Sequence, residues 1–444
     1  MKRGEKKLEI KMSDICWKIK KAEAGLKGEL TVPPDKSISH RAVMFSALSE
    51  GTCRVENFLS GEDCLSTLNA FRALGTDITR NGGTVTVKGK GLKGLTGPSG
   101  ELYLGNSGTT MRILSGILAG QSFSTVLTGD ESLSGRPMRR IIDPLTRMGA
   151  EIESAGGKGF PPLKIKARSG PLNPVNYILP MASAQVKSCI LSAGLYADGI
   201  TKVTEPFQSR DHTERMLEYF SADIRRDGLT TAIRGLNALK PLDIRVPGDI
   251  SSAAFFIVAA LIVKGSMVIL KNVGLNPTRV GLINVLKRMG GRINILDMRE
   301  ALEPAGDLEV RYSELHGTVV EEEEIPLLID EIPVLTVAAA RAEGDTLIKG
   351  IKELKVKETD RVKSISDNLL RTGVDIGEEN DVLCISGNKA SLTAAEFDSY
   401  GDHRIAMSMA VASLVSDGTC IIKNTACADT SYPGFFPDLI KVVG

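Results

Sequence analysis

Residues 47–58 read ALSEGTCRVENF and residues 414–424 read LVSDGTCIIKN. In each, an apolar stretch of helical character ends in an acidic residue and Gly, and a β-type run follows. Related stretches recur as GILAGQSFSTVL at 116–127, LYADGITKVTE at 195–205, LIVKGSMVILKN at 261–272 and RAEGDTLIKG at 341–350. The six glycines (Gly51, Gly120, Gly199, Gly265, Gly344 and Gly418) are spaced by 69, 79, 66, 79 and 74 residues. A second pattern interleaves: FRALGTDITR, LTRMGAEIES, LEYFSADIRR, LKRMGGRINI and LLRTGVDIGE. Each reads as a helix end, a Gly or small residue, then a strand. Gly suits the position just past a helix C-terminus, where φ turns positive.

Each period therefore predicts strand–helix–strand–helix–strand, with further strands in alternating segments such as Thr84–Lys88 and residues 164–166. Six such units form two groups of three. The expected architecture is α/β, in two domains of about 200 residues rather than one 444-residue core. Val32-Pro33-Pro34 and Arg245-Val246-Pro247 are candidate hinge strands. Residues 321–324, all Glu, read as a solvated loop.

Composition narrows the function. Lys and Arg total 55 against 54 Asp and Glu, so the net charge of +1 does not suit a general binder of nucleic acid or acidic membrane. Anion recognition, if present, has to be local. Seven cysteines, an odd number with no C-x-x-C pair, argue against a disulfide framework or a structural zinc site and for a reducing, cytoplasmic setting. The basic N-terminal stretch lacks the apolar core of a secretory signal. The most apolar run, residues 253–263, is half the roughly 20 residues a membrane span needs and reads as a buried helix.

Repeats built only for packing should look alike, yet the starts of the first helices differ. They read PPDKSISHRA, LGNSGTTMRI, MASAQVKSCI, PGDISSAAFF, IDEIPVLTVA and YGDHRIAMSM. Ser, Asn and Asp there are ordinary N-caps. Capping does not explain Lys36, Arg41, Arg112 and Arg404, which lie in or near these first turns. Cations are unfavourable at a helix N-terminus, so their recurrence points to bound anions. A second charged set occupies the loops SGRPMRR (Arg136, Arg139, Arg140), SRDHTER (Ser209, Arg210, His212) and KVKETDR (Lys355, Lys357, Glu358, Arg361). Asp330-Glu331, before Ile332-Pro333, has a cap as its plain account.

Other chemistries fall away. GKGLKG at 89–94 is followed by Leu-Thr-Gly-Pro, so no helix starts there as a dinucleotide fingerprint requires. There is no P-loop and no G-x-S-x-G elbow. The four histidines have no ligand spacing, so no metal is implied.

PPDKSISHRA, LGNSGTTMR, SAQVKS, DEIPVL, VKETDR and GDHRIAM together resemble the motifs of the 5-enolpyruvylshikimate-3-phosphate synthase family (3-phosphoshikimate 1-carboxyvinyltransferases). The likeness runs from Trp17 to Gly444, and NSGTT, SAQ-V-K and IDEIP resemble its class II branch. It implies a two-domain inverse α/β barrel, or α/β prism, of six βαβαββ repeats, three per domain. Residues 1–33 with 248–444 would form one domain and residues 34–247 the other, with the active site in the cleft between them. It implies transfer of the carboxyvinyl group of phosphoenolpyruvate to the 5-hydroxyl of 3-phosphoshikimate by addition and elimination, with no cofactor or metal, in a monomer.

By motif, the resemblance assigns Lys36, Ser37, Arg41, Ser183, Gln185, Asp330 and Lys357 to 3-phosphoshikimate. It assigns Lys36, Gly108, Arg136, Gln185, Arg361 and Arg404 to phosphoenolpyruvate. Asp330 would take the 5-hydroxyl proton, Glu358 would protonate the methylene carbon, and Lys36 would assist catalysis. Pro34, Ala184 and Thr430-Ser431 depart from the family pattern. The related UDP-N-acetylglucosamine enolpyruvyl transferases carry a reactive Cys before an Arg-Pro; residues 128–135 hold none. A non-catalytic anion-binding repeat protein would keep the arginines but has no reason to keep Asp330 and Glu358.

Overall fold

The computed structural model describes residues 12–13 and 16–443; most of the basic N-terminal stretch lies outside them. By internal packing the chain divides into two compact units. One is Pro34–Pro247, and the other holds the chain up to Pro33 and from Gly248 onward.

The repeat period becomes six four-stranded sheets. The strands that follow the repeat glycines are Thr52–Glu56, Thr125–Thr128, Ile200–Thr204, Met267–Gly274, Gly344–Lys349 and Thr419–Lys423. Each lies inside its sheet, paired parallel on one side and antiparallel on the other. The second repeat shows the βαβαββ order whole: Leu102–Tyr103, Gly108–Leu118, Thr125–Thr128, Arg139–Arg147, Ile152–Ser154 and Leu163–Ile165. Lys27–Thr31 pairs parallel with Met267–Gly274 from far along the chain, and two other repeats also close by borrowing strands from distant sequence. In one, Ile244–Arg245 pairs parallel with Thr52–Glu56. In the other, Cys16–Lys20 completes the sheet of the last repeat against Thr419–Lys423. Trp17 stacks on Phe436 at 5.0 Å, which fixes this early strand against the last helix.

The first helix of each repeat is buried nearly all round. Ile250–Ile262, Ile332–Ala340 and His403–Ser413 are buried at every position and pack on one another. This is the fate of the apolar run at 253–263: a core helix. No helix among the described residues is long and apolar enough to cross a membrane. Serines survive in these helices by bonding back one turn, as Ser115 does to Met111 O and Ser408 to Arg404 O. In the 34–247 unit, Gly108–Leu118 packs tightly on Ala184–Gly194. A Cβ on Gly116 would stand 2.1 Å from Cys189 O, so only Gly fits.

The second helices end as the sequence predicts. Gly75, Gly149, Gly290 and Gly373 take φ of 83°, 86°, 95° and 85°, and Ser221, which replaces Gly in the third repeat, takes 64°. One expectation holds only in part. Residues 321–324 are solvated, with Glu322 and Glu323 exposed, but they are not a loop: Glu322–Glu324 is a 3₁₀ turn closed by a capping box. Glu324 pairs with Arg288 at 3.0 Å and Glu321 with Lys349 at 2.9 Å. Like charges in a row are tolerated because each end faces a cation.

Candidate active site

In the 34–247 unit, the helix starts carry both caps and cations. Asp35 accepts from Ile38 N at 2.8 Å, Ser107 from Thr110 N at 3.2 Å and Ser183 from Val186 N at 3.5 Å. Ordinary capping is therefore real, and the cations come in addition. Lys36 opens its helix with Nζ 3.1 Å from Asp63. Arg41 is buried and donates to Thr213 Oγ1 at 2.7 Å, Ser188 Oγ at 3.0 Å and the Ser37 carbonyl at 3.0 Å.

Gly108, Arg112, Arg136 and Gln185 come together. Arg112 donates to Gln185 Oε1 at 2.6 Å, and Gln185 donates to Thr109 Oγ1 at 3.0 Å. Arg136 donates to Asn106 Oδ1 and to Ser132 Oγ at 3.3 Å. A Cβ on Gly108 would meet Arg112 Nη1 at 2.7 Å and Arg136 Nη1 at 3.2 Å. Gly108 has no positive φ, so the missing side chain serves space: two guanidinium groups fill it. A His40–Thr67–Thr110–Ser107 chain of hydrogen bonds, with steps of 2.6, 2.6 and 2.7 Å, runs beneath this loop to its N-cap. Burial lowers the His40 pKa to about 3, so the ring is neutral.

Lys187, in the SAQVKS motif, does not join these groups. It is buried between Glu205 and Glu214, at 2.7 Å from each. Burial favours the neutral amine, but the two carboxylates outweigh it and keep the pKa raised. Ser209 donates to Glu205, which ties the SRDHTER loop to the same pair.

In the other unit, one guanidinium organises the carboxylates. Arg361 is 1% exposed. Its Nε donates to Asp402 at 2.8 Å, Nη1 to Asp330 at 3.1 Å and Nη2 to Glu358 at 2.6 Å. Burial alone would lower its pKa; Asp402, Glu358 and Asp330 together raise it instead. Arg404 donates to the Asp330 carbonyl at 3.0 Å and stands 3.6 Å from the Asp330 carboxylate. Lys357 is half-buried, and desolvation, with Arg361 close by, holds its ammonium below the usual lysine range. Asp330 and Glu358 are thus two partly exposed carboxylates on one buried cation, the kind of pair acid–base work needs.

Two readings from sequence change here. The cations at the helix starts are partly balanced by the protein's own carboxylates, Asp63 for Lys36 and Asp330 for Arg404. And Glu331 is no cap: its side chain bonds no backbone N–H of its helix. It accepts from Ser251 and lies 3.7 Å from Arg279. Thr430 donates to Cys427 O at 2.7 Å within a 3₁₀ turn. Sequence reasoning missed Asp402, Glu331 and Arg279. Arg279 could have been found by repeat register, since its loop before Gly281–Arg288 matches those carrying Arg136, Arg210 and Arg361.

The sequence model of the EPSP synthase family (3-phosphoshikimate 1-carboxyvinyltransferase) matches residues 20–439. The chain belongs to the EPSP synthase family. A 3-phosphoshikimate 1-carboxyvinyltransferase of Brevibacillus brevis is 51% identical over 418 residues, covering 94% of this chain and 97% of that protein. One from Geotalea uraniireducens is 52% identical over 429 residues, with 96% and 99% covered. The solved EPSP synthase of Acinetobacter baumannii superposes with a TM-score of 0.87 at 46% identity, covering 96% of this chain and 98% of that one. The enolpyruvyl transferase NikO of Streptomyces tendae, at 19% identity and a TM-score of 0.75 with 96% and 97% covered, shares the fold. The mixed α/β architecture of six four-stranded sheets is thus the two-domain repeated fold of EPSP synthases.

Proposed function

We propose that this chain is a 3-phosphoshikimate 1-carboxyvinyltransferase. It would move the carboxyvinyl group of phosphoenolpyruvate to the 5-hydroxyl of 3-phosphoshikimate and release phosphate, as a monomer in the cytoplasm and without metal or organic cofactor. The observation that carries this reading is the placement of Asp330 and Glu358 on one shared, buried guanidinium, that of Arg361.

In the reaction, Asp330 accepts the 5-hydroxyl proton as that oxygen attacks the central carbon of phosphoenolpyruvate. Glu358 delivers a proton to the methylene carbon, which becomes a methyl group. The resulting tetrahedral adduct then loses a methyl proton and phosphate, and the double bond re-forms. Arg361 fixes the acid and the base in one geometry and stays ionised throughout. Lys36, Ser37, Arg41, Ser183, Gln185, Asp330 and Lys357 are assigned to 3-phosphoshikimate. Lys36, Gly108, Arg136, Gln185, Arg361 and Arg404 are assigned to phosphoenolpyruvate. Both substrates carry a phosphate and a carboxylate, which guanidinium forks and helix N-termini receive well.

Phosphate release from phosphoenolpyruvate tests the reading. It should occur only when 3-phosphoshikimate is added. Release with phosphoenolpyruvate alone, or none with both, would overturn it.

A further inference from the structure

Glu331 is 1% exposed, and its Oε2 has no hydrogen-bond partner among the described residues. Its Oε1 accepts from the Ser251 hydroxyl and lies 3.7 Å from Arg279 Nη2 and 3.9 Å from Arg404 Nη1. A buried carboxylate with an unpaired oxygen is costly, and this one is held against two buried guanidinium groups, those of Arg279 and Arg404. Its retention beside Arg404 calls for a role that needs charge.

We propose that Glu331 is a positioning residue: its carboxylate holds Arg404 open for the phosphoenolpyruvate anion and keeps it from forming a full pair with Asp330. The proposal rests on the assignment of Asp330 as base and Arg404 as anion ligand. The contact between those two is loose in the manner it requires. Arg404 hydrogen-bonds the Asp330 backbone carbonyl, at 3.0 Å, and meets the carboxylate only at 3.6 Å. Arg279 and Ser251 hold Glu331 from the other side, with Arg279 also 3.5 Å from Asp249.

Charges face this group from both sides, and His403 stands 4.0 Å from Asp402. Asp330 faces Arg361, Lys357 and Arg404, with Glu358 and Asp402 reached through Arg361. Glu331 faces Arg279 and Arg404, with Asp249 reached through Arg279. Removing the charge of Glu331 leaves Arg404 compensated by Asp330 alone. Arg404 then closes on Asp330, which becomes a weaker base and stays ionised to lower pH.

Glu331→Gln tests this with 3-phosphoshikimate saturating and pH varied. kcat/KM for phosphoenolpyruvate should fall about 100-fold, the cost of a misplaced binding group. The acid limb of kcat should move down by about one pH unit, and the Kd for 3-phosphoshikimate by calorimetry should change far less than kcat/KM for phosphoenolpyruvate. Glu331→Asp keeps the charge and should return the acid limb to its wild-type position. If Glu331→Gln does not fold, Ser251→Ala is read instead: it frees Glu331 without removing charge and should raise KM for phosphoenolpyruvate with the acid limb unmoved. An unmoved acid limb in a folded Glu331→Gln, or wild-type kinetics in Ser251→Ala, overturns the proposal. Near-normal turnover in Asp330→Asn overturns the assignment beneath it and shows itself without any Glu331 variant.

Discussion

Arg404 donates from Nη1 to the backbone carbonyl of Asp330 at 3.0 Å and leaves its Nη2 3.6 Å from the same residue's carboxylate. A guanidinium beside a carboxylate ordinarily closes to a bidentate pair. Here the backbone contact fixes the arginine, and the carboxylate is not closed into that pair.

Asp330→Asn and Glu358→Gln each remove one proton-transfer group and little volume. Each should lower kcat by roughly 10²–10⁴-fold. Calorimetry should show 3-phosphoshikimate still bound by both variants. Turnover near wild type in either would take that residue out of the mechanism.

Arg361→Lys supplies one ammonium where three carboxylates share a fork. Asp402, which is 0% exposed, would lose the Nε donor that it takes from Arg361 at 2.8 Å. Breaking a buried pair of this kind costs roughly 3–5 kcal/mol. Urea unfolding should show a loss of that size, and turnover should fall with it. Unchanged stability would mean that the three contacts are not held in solution.

Gly108→Ala places a methyl 2.7 Å from Arg112 Nη1. The obstructing atom is the end of a flexible side chain, so the fold should tolerate the change and Tm should hardly move. The displaced guanidinium, and the methyl itself, should raise KM for phosphoenolpyruvate. The inhibition constant of glyphosate, a longer competitor for that site, should rise more steeply. Equal rises, or loss of folding, would return Gly108 to a backbone role.

His40 links acidity to stability. Its pKa is lowered by burial from 6.5 to about 3, so as pH falls the unfolded chain takes up the proton first. Its contribution is complete above pH 6.5 and declines as pH falls toward 3, at about 1.4 kcal/mol per pH unit. Between pH 7 and pH 5 the wild type should lose roughly 2 kcal/mol more than His40→Gln in urea unfolding. Equal losses would show that the ring is protonated in the folded state.

The architecture was legible because its signals are local. A Gly past a helix end and an alternating strand after it need no tertiary knowledge, and they recur often enough to give the period. Even Ser221, without Gly, adopts the left-handed turn at φ 64°. Arg404 stood out by itself as a cation at a helix start, whereas the roles of Asp330, Glu358 and Arg361 came from the resemblance of their motifs to the family's. What stayed hidden depends on contacts across repeats. Nothing in the string says that Arg361 reaches Asp402, 41 positions away, or that Glu331 turns from its own helix to Ser251, 80 positions away. Residues 321–324 misled for the same reason, since Arg288 and Lys349 are distant in sequence.

The most direct test follows the reaction in D₂O by proton and phosphorus NMR, with phosphoenolpyruvate and 3-phosphoshikimate in equal amounts. Addition through a methyl-bearing adduct predicts new vinyl signals of an enol ether on the 5-oxygen, one phosphate per ether, and deuterium in the product methylene. Pyruvate in place of the ether, or an ether whose methylene carries no deuterium, would contradict the account.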